Sequence, residues 1–176
     1  TGDAIASDDF AYLGRWRAGG SNIATGANPA NWQAMTFVTG TETPLANAQA
    51  QAKDGQNNPQ NLTYKFLDNT AQYVSAMRPD GSVDHGAGQI TSADLSVDPN
   101  AATVTVNMNM DMNAYGQRQT SNLSVYGDMY LSPGSTDFSG GSVYMQDCLF
   151  ECMQYAASAN GMLIGPNAER AGLSVG

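Results

Sequence analysis

The stretch from 102 to 114 alternates without a break. Ala102, Val104, Val106, Met108, Met110 and Met112 are separated by Thr103, Thr105, Asn107, Asn109 and Asp111. Successive side chains of a strand point to opposite faces, so this pattern demands a long β-strand with one face buried. A helix would scatter the same residues around its circumference. A partner lies just upstream. Ala93, Leu95 and Val97 alternate with Asp94, Ser96 and Asp98, and Asp98-Pro99-Asn100 supplies a turn. Strand, turn and strand predict a hairpin, the unit of an antiparallel meander.

Weaker alternation predicts further strands at 121–131, Gly141 to Asp147, Trp32 to Val38, Leu62 to Leu67, Ala71 to Met77, Tyr12 to Arg17, Met162 to Ile164 and Leu173 to Val175. Ser132-Pro133-Gly134-Ser135 and Arg78-Pro79-Asp80-Gly81 break the chain between them. Pro44 to Lys53 is an Ala/Gln run too polar to bury a stripe, and Lys53 to Asn61 reads as an exposed loop. Cys148 to Ala159 is expected to form one or two helical turns across a barrel end. Composition agrees with many short strands: Asn (15), Ser (14), Thr (13) and Gln (11) dominate, while charged residues are 13%. Helices usually carry Lys and Glu on their exposed faces. The fold class expected is all-β, a single antiparallel barrel of about eight strands with at most short helical turns, which hides its sheet edges by closing.

The net charge is −9 and the lysines are Lys53 and Lys65 alone, so the chain offers phosphates no cationic footprint and nucleic acid is excluded as a partner. No apolar run reaches the roughly 18 residues of a membrane-spanning helix. The length suits one domain, 1–176. Thr1 is no initiator, so a processed or trimmed part of a longer exported protein is expected. Cys148 and Cys152, in DCLFEC, lack the further ligands that tetrahedral zinc requires, and a disulfide between them is expected. Such a bond fits an extracytoplasmic location.

Chemistry-bearing residues are sparse. Met108, Met110 and Met112 suit a soft metal, but Val104 and Val106 continue their stripe, which makes it core. His85, the lone histidine, lies among turn residues in RPDGSVDHGAG; a single histidine can serve as an axial haem ligand. No G-x-S-x-G, H-E-x-x-H, Walker A or G-x-G-x-x-G motif occurs, so no enzyme is expected, no catalytic residue is assigned and no metal or cofactor is expected. Trp16, Trp32, Tyr64, Tyr73, Tyr115, Tyr126, Tyr130, Tyr144 and Tyr155 would stack on sugars if several share one exposed face; of these, Tyr126 and Tyr130 fall on the polar side of their strand, opposite Leu123, Val125 and Met129. They are the candidate contact residues for a partner or a carbohydrate.

Four segments carry a resemblance: YLGRWRAG (Tyr12 to Gly19), LTYKFLDNT (Leu62 to Thr70), GQITSADLSVDPNAATVTVNM (Gly88 to Met108) and NGMLIGPNAERAGLSVG (Asn160 to Gly176). Their order resembles the small β-barrel of transferrin-binding protein B-like surface lipoproteins and of FecR-like exported proteins. Gly161, Gly165, Pro166, Ala168, Glu169 and Gly172 match the segment that introduces the closing strand in those families. The cysteine pair and the methionine stripe are not part of that pattern. The resemblance implies an extracytoplasmic barrel, commonly a binding or structural module, and carries no ligand site over. The function expected is a non-enzymatic binding or scaffold domain at the surface or in the periplasm of a Gram-negative bacterium. It would meet a protein partner or assemble with itself, one version being a subunit of a larger surface assembly. The alternative is a haem or iron-acquisition protein.

Overall fold

The computed structural model describes residues 2–7, 9–16, 35–65, 75–77, 83–85, 88–113, 120–147 and 153–175. Three strands come first, β1 (Gly2–Ser7), β2 (Ala11–Trp16) and β3 (Met35–Gly40), paired in that order. A short helix α1 (Leu45–Gln51) precedes β4 (Leu62–Lys65), and β5 (Ser75–Met77) pairs with β6 (Val83–His85). The long strands follow: β7 (Gly88–Asp98), β8 (Thr103–Asn113), β9 (Thr120–Leu131) and β10 (Asp137–Asp147). Last come β11 (Met153–Ala157), β12 (Ala159–Ile164) and β13 (Arg170–Val175). One sheet runs β13-β12-β10-β9-β8-β7-β4, with β11 also paired to β10, and it curls until it nearly closes into a barrel. The all-β reading is borne out.

Period-two alternation becomes burial. On β8, Val104, Val106, Met108 and Met110 are buried, while Thr105, Asn107 and Asn109 are exposed. Their cross-strand neighbours continue the layer, with Val106 opposite Leu95 and Met108 opposite Val125. Phe138, Met129 and Leu163 are almost fully enclosed in the same cluster. Each such side chain contributes about 1.5–3 kcal/mol on burial. The apolar side faces in and the polar side faces out, the reverse of a transmembrane barrel. Among the described residues no helix is long and apolar enough to cross a membrane.

Turn chemistry sets the register. Asp98 Oδ1 accepts the backbone N–H groups of Asn100 and Ala101 at 2.9 Å each, which shapes the β7–β8 turn. Ser132-Pro133-Gly134-Ser135 has Gly134 at φ 78 and a Ser135 N–H bond to the Ser132 carbonyl at 3.1 Å, the geometry of a type II turn. On β10, Ser139 faces Tyr130 and Ser142 faces Asp128, so two residues oppose one. Gly140 and Gly141, at φ 71 and 76, make this bulge. A Cβ on Gly141 would fall on the Asp128 carbonyl, so no larger residue fits.

The bulge decides which side chains face in. Phe138 and Val143 are both buried although five positions apart, an odd spacing that a regular strand would place on opposite faces. The extra residue resets the alternation, and β10 therefore starts at Asp137, ahead of the expected Gly141. Thr91 marks the same device on β7, where the register shifts between Ile90 and Ser92.

Three further expectations need correction. The segment from Cys148 was expected to turn helical, yet Met153–Ala157 is strand β11, because the open edge of β10 pairs with it from Val143 to Asp147. His85 was placed among turn residues and instead ends β6, opposite Ser75. The Ala/Gln run does form a helix, of 7 residues, which buries Ala48 and packs Leu45, at its first position, against the core. β1 was not anticipated.

Candidate functional site

Two places on the barrel concentrate polar side chains. At one end, the turn between β12 and β13 meets the segment leading into α1. Thr43, fully buried, donates its hydroxyl to the Gly165 carbonyl at 2.6 Å, and its own carbonyl accepts the Thr136 hydroxyl at 2.7 Å. The Gly165 N–H reaches the Thr41 carbonyl, and Asn47 Nδ2 donates to the Pro166 carbonyl. Glu42 accepts the Ser135 hydroxyl at 2.7 Å and the Thr136 N–H at 3.0 Å, and these two donors hold its carboxyl below its ordinary value.

The same turn holds the seam between the edge strands β4 and β13. Tyr64 on β4 packs against the core and donates its hydroxyl to the Ala168 carbonyl at 2.9 Å. Burial, and behind it the charge of Glu169, pushes the Tyr64 phenol up to about 12. Gly165, Pro166, Ala168 and Glu169, singled out in the sequence, thus sit where the barrel closes. The carbonyls of Gly165, Pro166 and Ala168 are taken up by that closure, while the Glu169 carboxylate accepts from Asn167 within the turn.

The second place is the outer face of β8, β9 and β10. Tyr126 lies directly opposite Tyr144, with ring centroids 6.1 Å apart and planes inclined by 39°. Tyr130 is 57% exposed and Tyr144 36%. Beside them Ser124 Oγ donates to Asn109 Oδ1 at 2.8 Å, and Asn109 Nδ2 donates to Ser92 Oγ at 3.0 Å. Thr105 donates to Asp128 Oδ1 at 2.7 Å, on the row between Tyr126 and Tyr130. Hydroxyl, amide and carboxylate are thereby fixed in a cross-strand lattice with three phenols standing on it.

Of the residues singled out from sequence, Tyr126 and Tyr130 share this face. Tyr144 joins them; the sequence offers it among the stacking aromatics but not as a contact residue. The signal was present, since Tyr144 lies between the inward Val143 and Met145, but only the bulge brings that phase into line with β9. His85, on β6, belongs to a separate two-stranded sheet. Cys148 and Cys152 lie outside the described residues, as do Trp32, Tyr73 and Tyr115. Among the described residues no group of three His, Cys, Asp or Glu is placed to hold a metal. No family model matches the chain, and neither a curated protein nor a solved structure matches it.

Proposed function

We propose that this chain is a non-enzymatic extracytoplasmic binding module of a Gram-negative surface, which engages its partner through the outer face of β8, β9 and β10. The observation that carries the reading is the group of Tyr126, half-buried, with Tyr130 and Tyr144, both exposed, on a preordered lattice of hydroxyl, amide and carboxylate side chains. Aromatic residues with a polar tip are characteristic of contact surfaces, and a rigid sheet presents them at little entropic cost. The likeness to surface-lipoprotein barrels supports the compartment. A Cys148–Cys152 disulfide belongs to the same reading, since an oxidised pair fits an extracytoplasmic location. Alkylation without reductant followed by intact-mass measurement is expected to leave both thiols unlabelled.

The test is retention on isolated Gram-negative envelope material. The variant Tyr126→Ala/Tyr130→Ala/Tyr144→Ala is expected to lose at least about tenfold in retention, the scale of losing aromatic anchors, and unchanged retention rejects the proposal. Two controls run on the same sample. A 1:1 hemin complex whose Soret shift disappears in His85→Ala would replace this reading with haem acquisition. Sedimentation showing large polymers that dissolve in the tyrosine variant would make the face a self-assembly contact.

A further inference from the structure

The lattice on the outer face also specifies the chemistry of what can lie on it. Tyr126 and Tyr144 form a tilted pair with centroids 6.1 Å apart, and Tyr144 and Tyr130 reach furthest into solvent. Each ring offers an apolar face with a hydroxyl at its rim. Around the rings, Ser124, Asn109 and Ser92 are bonded to one another, so their rotamers are settled before any ligand arrives.

Charge narrows the class. Asp111 and Asp128 supply charge of one sign on β8 and β9, in a chain of net charge −9, while Asp94 on β7 is faced by Lys65 of β4, away from the tyrosines. An anionic ligand meets repulsion here. A purely apolar one would strip water from amides and carboxylates and return no hydrogen bonds. The ligand must combine an apolar surface for the rings with many neutral donors and acceptors. A sugar ring does this, with C–H groups on its face and hydroxyls around its edge.

Spacing adds a length. Tyr130 stands four residues beyond Tyr126 on β9, about 13 Å along the strand at a rise of about 3.3 Å per residue. Between them lies Asp128, its carboxylate oriented by Thr105 and suited to accept sugar hydroxyls. A single sugar cannot reach both rings, whereas an extended chain can. We infer that the outer face of β8, β9 and β10 is a subsite for a neutral polysaccharide. The Tyr126–Tyr144 pair grips one part of the chain and Tyr130 a part further along. This inference rests on the reading of that face as the binding surface.

The experiment is native electrophoresis in gels cast with hydroxyethylcellulose, laminarin or galactomannan, with alginate as the anionic control. The protein is expected to be retarded in at least one neutral gel and not specifically in alginate. Tyr126→Ser and Tyr144→Ser should each weaken binding about tenfold, the loss expected of one stacked ring. Tyr144→Phe keeps most of it, because the ring remains. Tyr130→Ala weakens binding of the polymer and leaves binding of its disaccharide unchanged. Unaltered thermal unfolding shows that each variant is folded. Unchanged migration in all neutral gels overturns the inference, as does retardation that survives the double variant Tyr126→Ser/Tyr144→Ser. Envelope retention separates the two levels of failure. If retention depends on the tyrosines while the neutral gels show nothing, the face is a binding surface for another class of ligand. If neither readout depends on them, the face itself is rejected.

Discussion

The β12–β13 turn and the outer face of β9 use the same kinds of polar group to opposite ends. At the turn, the Thr43 hydroxyl, the Tyr64 phenol and the Asn47 amide all donate to backbone carbonyls of the motif segment, at Gly165, Ala168 and Pro166. Those bonds join segments more than 100 positions apart in sequence, and they close the barrel. On the outer face, hydroxyl and amide bond sideways to the side chains of neighbouring strands, and the rings of Tyr130 and Tyr144 are left standing in solvent. Residue type does not distinguish closure from contact. The direction of the hydrogen bonds and the exposure of the rings do.

The contrast can be attacked first through the strand that has both environments. Met110, 6% exposed, faces the core, whereas Asn107 faces out. Met110→Asp is expected to cost more than about 3 kcal/mol or to unfold the barrel, since it buries an unpaired charge. Asn107→Ser should stay within about 0.5 kcal/mol. Equal urea midpoints for the two variants would erase the distinction between the faces. At the closing turn, Thr43→Val removes the shorter of the two bonds to the Gly165 carbonyl, leaving the Ala168 N–H at 3.3 Å, and should cost about 0.5–1.5 kcal/mol in the same assay. A neutral result would mean that the latch is ornamental. Ala102 sits at φ 58 in the β7–β8 turn, a region where a Cβ is strained, so Ala102→Gly should gain about 0.5–1 kcal/mol. A loss would show that the turn relaxes in solution.

The smallest effect is electrostatic. The Ser135 hydroxyl and the Thr136 N–H hold the Glu42 carboxyl below its ordinary value of 4.5. The folded value is therefore lower than the unfolded one, so the contribution is fully present above pH 4.5 and fades as pH falls through the lowered value. Glu42→Gln is expected to flatten the acid limb of the stability profile slightly. An unchanged limb would remove Glu42 from the latch.

How much of this the amino-acid order reveals depends on how local the cause is. The β7–β8 hairpin is legible because alternation and an Asx turn act within a few residues. β11 is not, because Met153 to Ala157 has no strand preference of its own and takes its form from the free edge of β10. Tyr126 and Tyr130 are found from the phase of one strand. Tyr144 needs the register between two, and that register is shifted by Gly140 and Gly141, where the sequence pattern merely starts a strand. The motif Gly165 to Glu169 stands out plainly, yet its work is visible only once Tyr64 and Thr43 are seen to reach it across the fold.

The seam at Tyr64 and Ala168 has a dynamic corollary. A ring of strands with one unladdered junction has a preferred place to breathe, since side-chain contacts release more readily there than a continuous ladder does. Counted around the sheet, β9 has β10, β12 and β13 on one side and β8, β7 and β4 on the other. The strand that bears Tyr126 and Tyr130 is thus as remote from the junction as this topology permits. Opening at the seam would spend its displacement on β4 and β13, and the platform beneath the tyrosines would keep its shape.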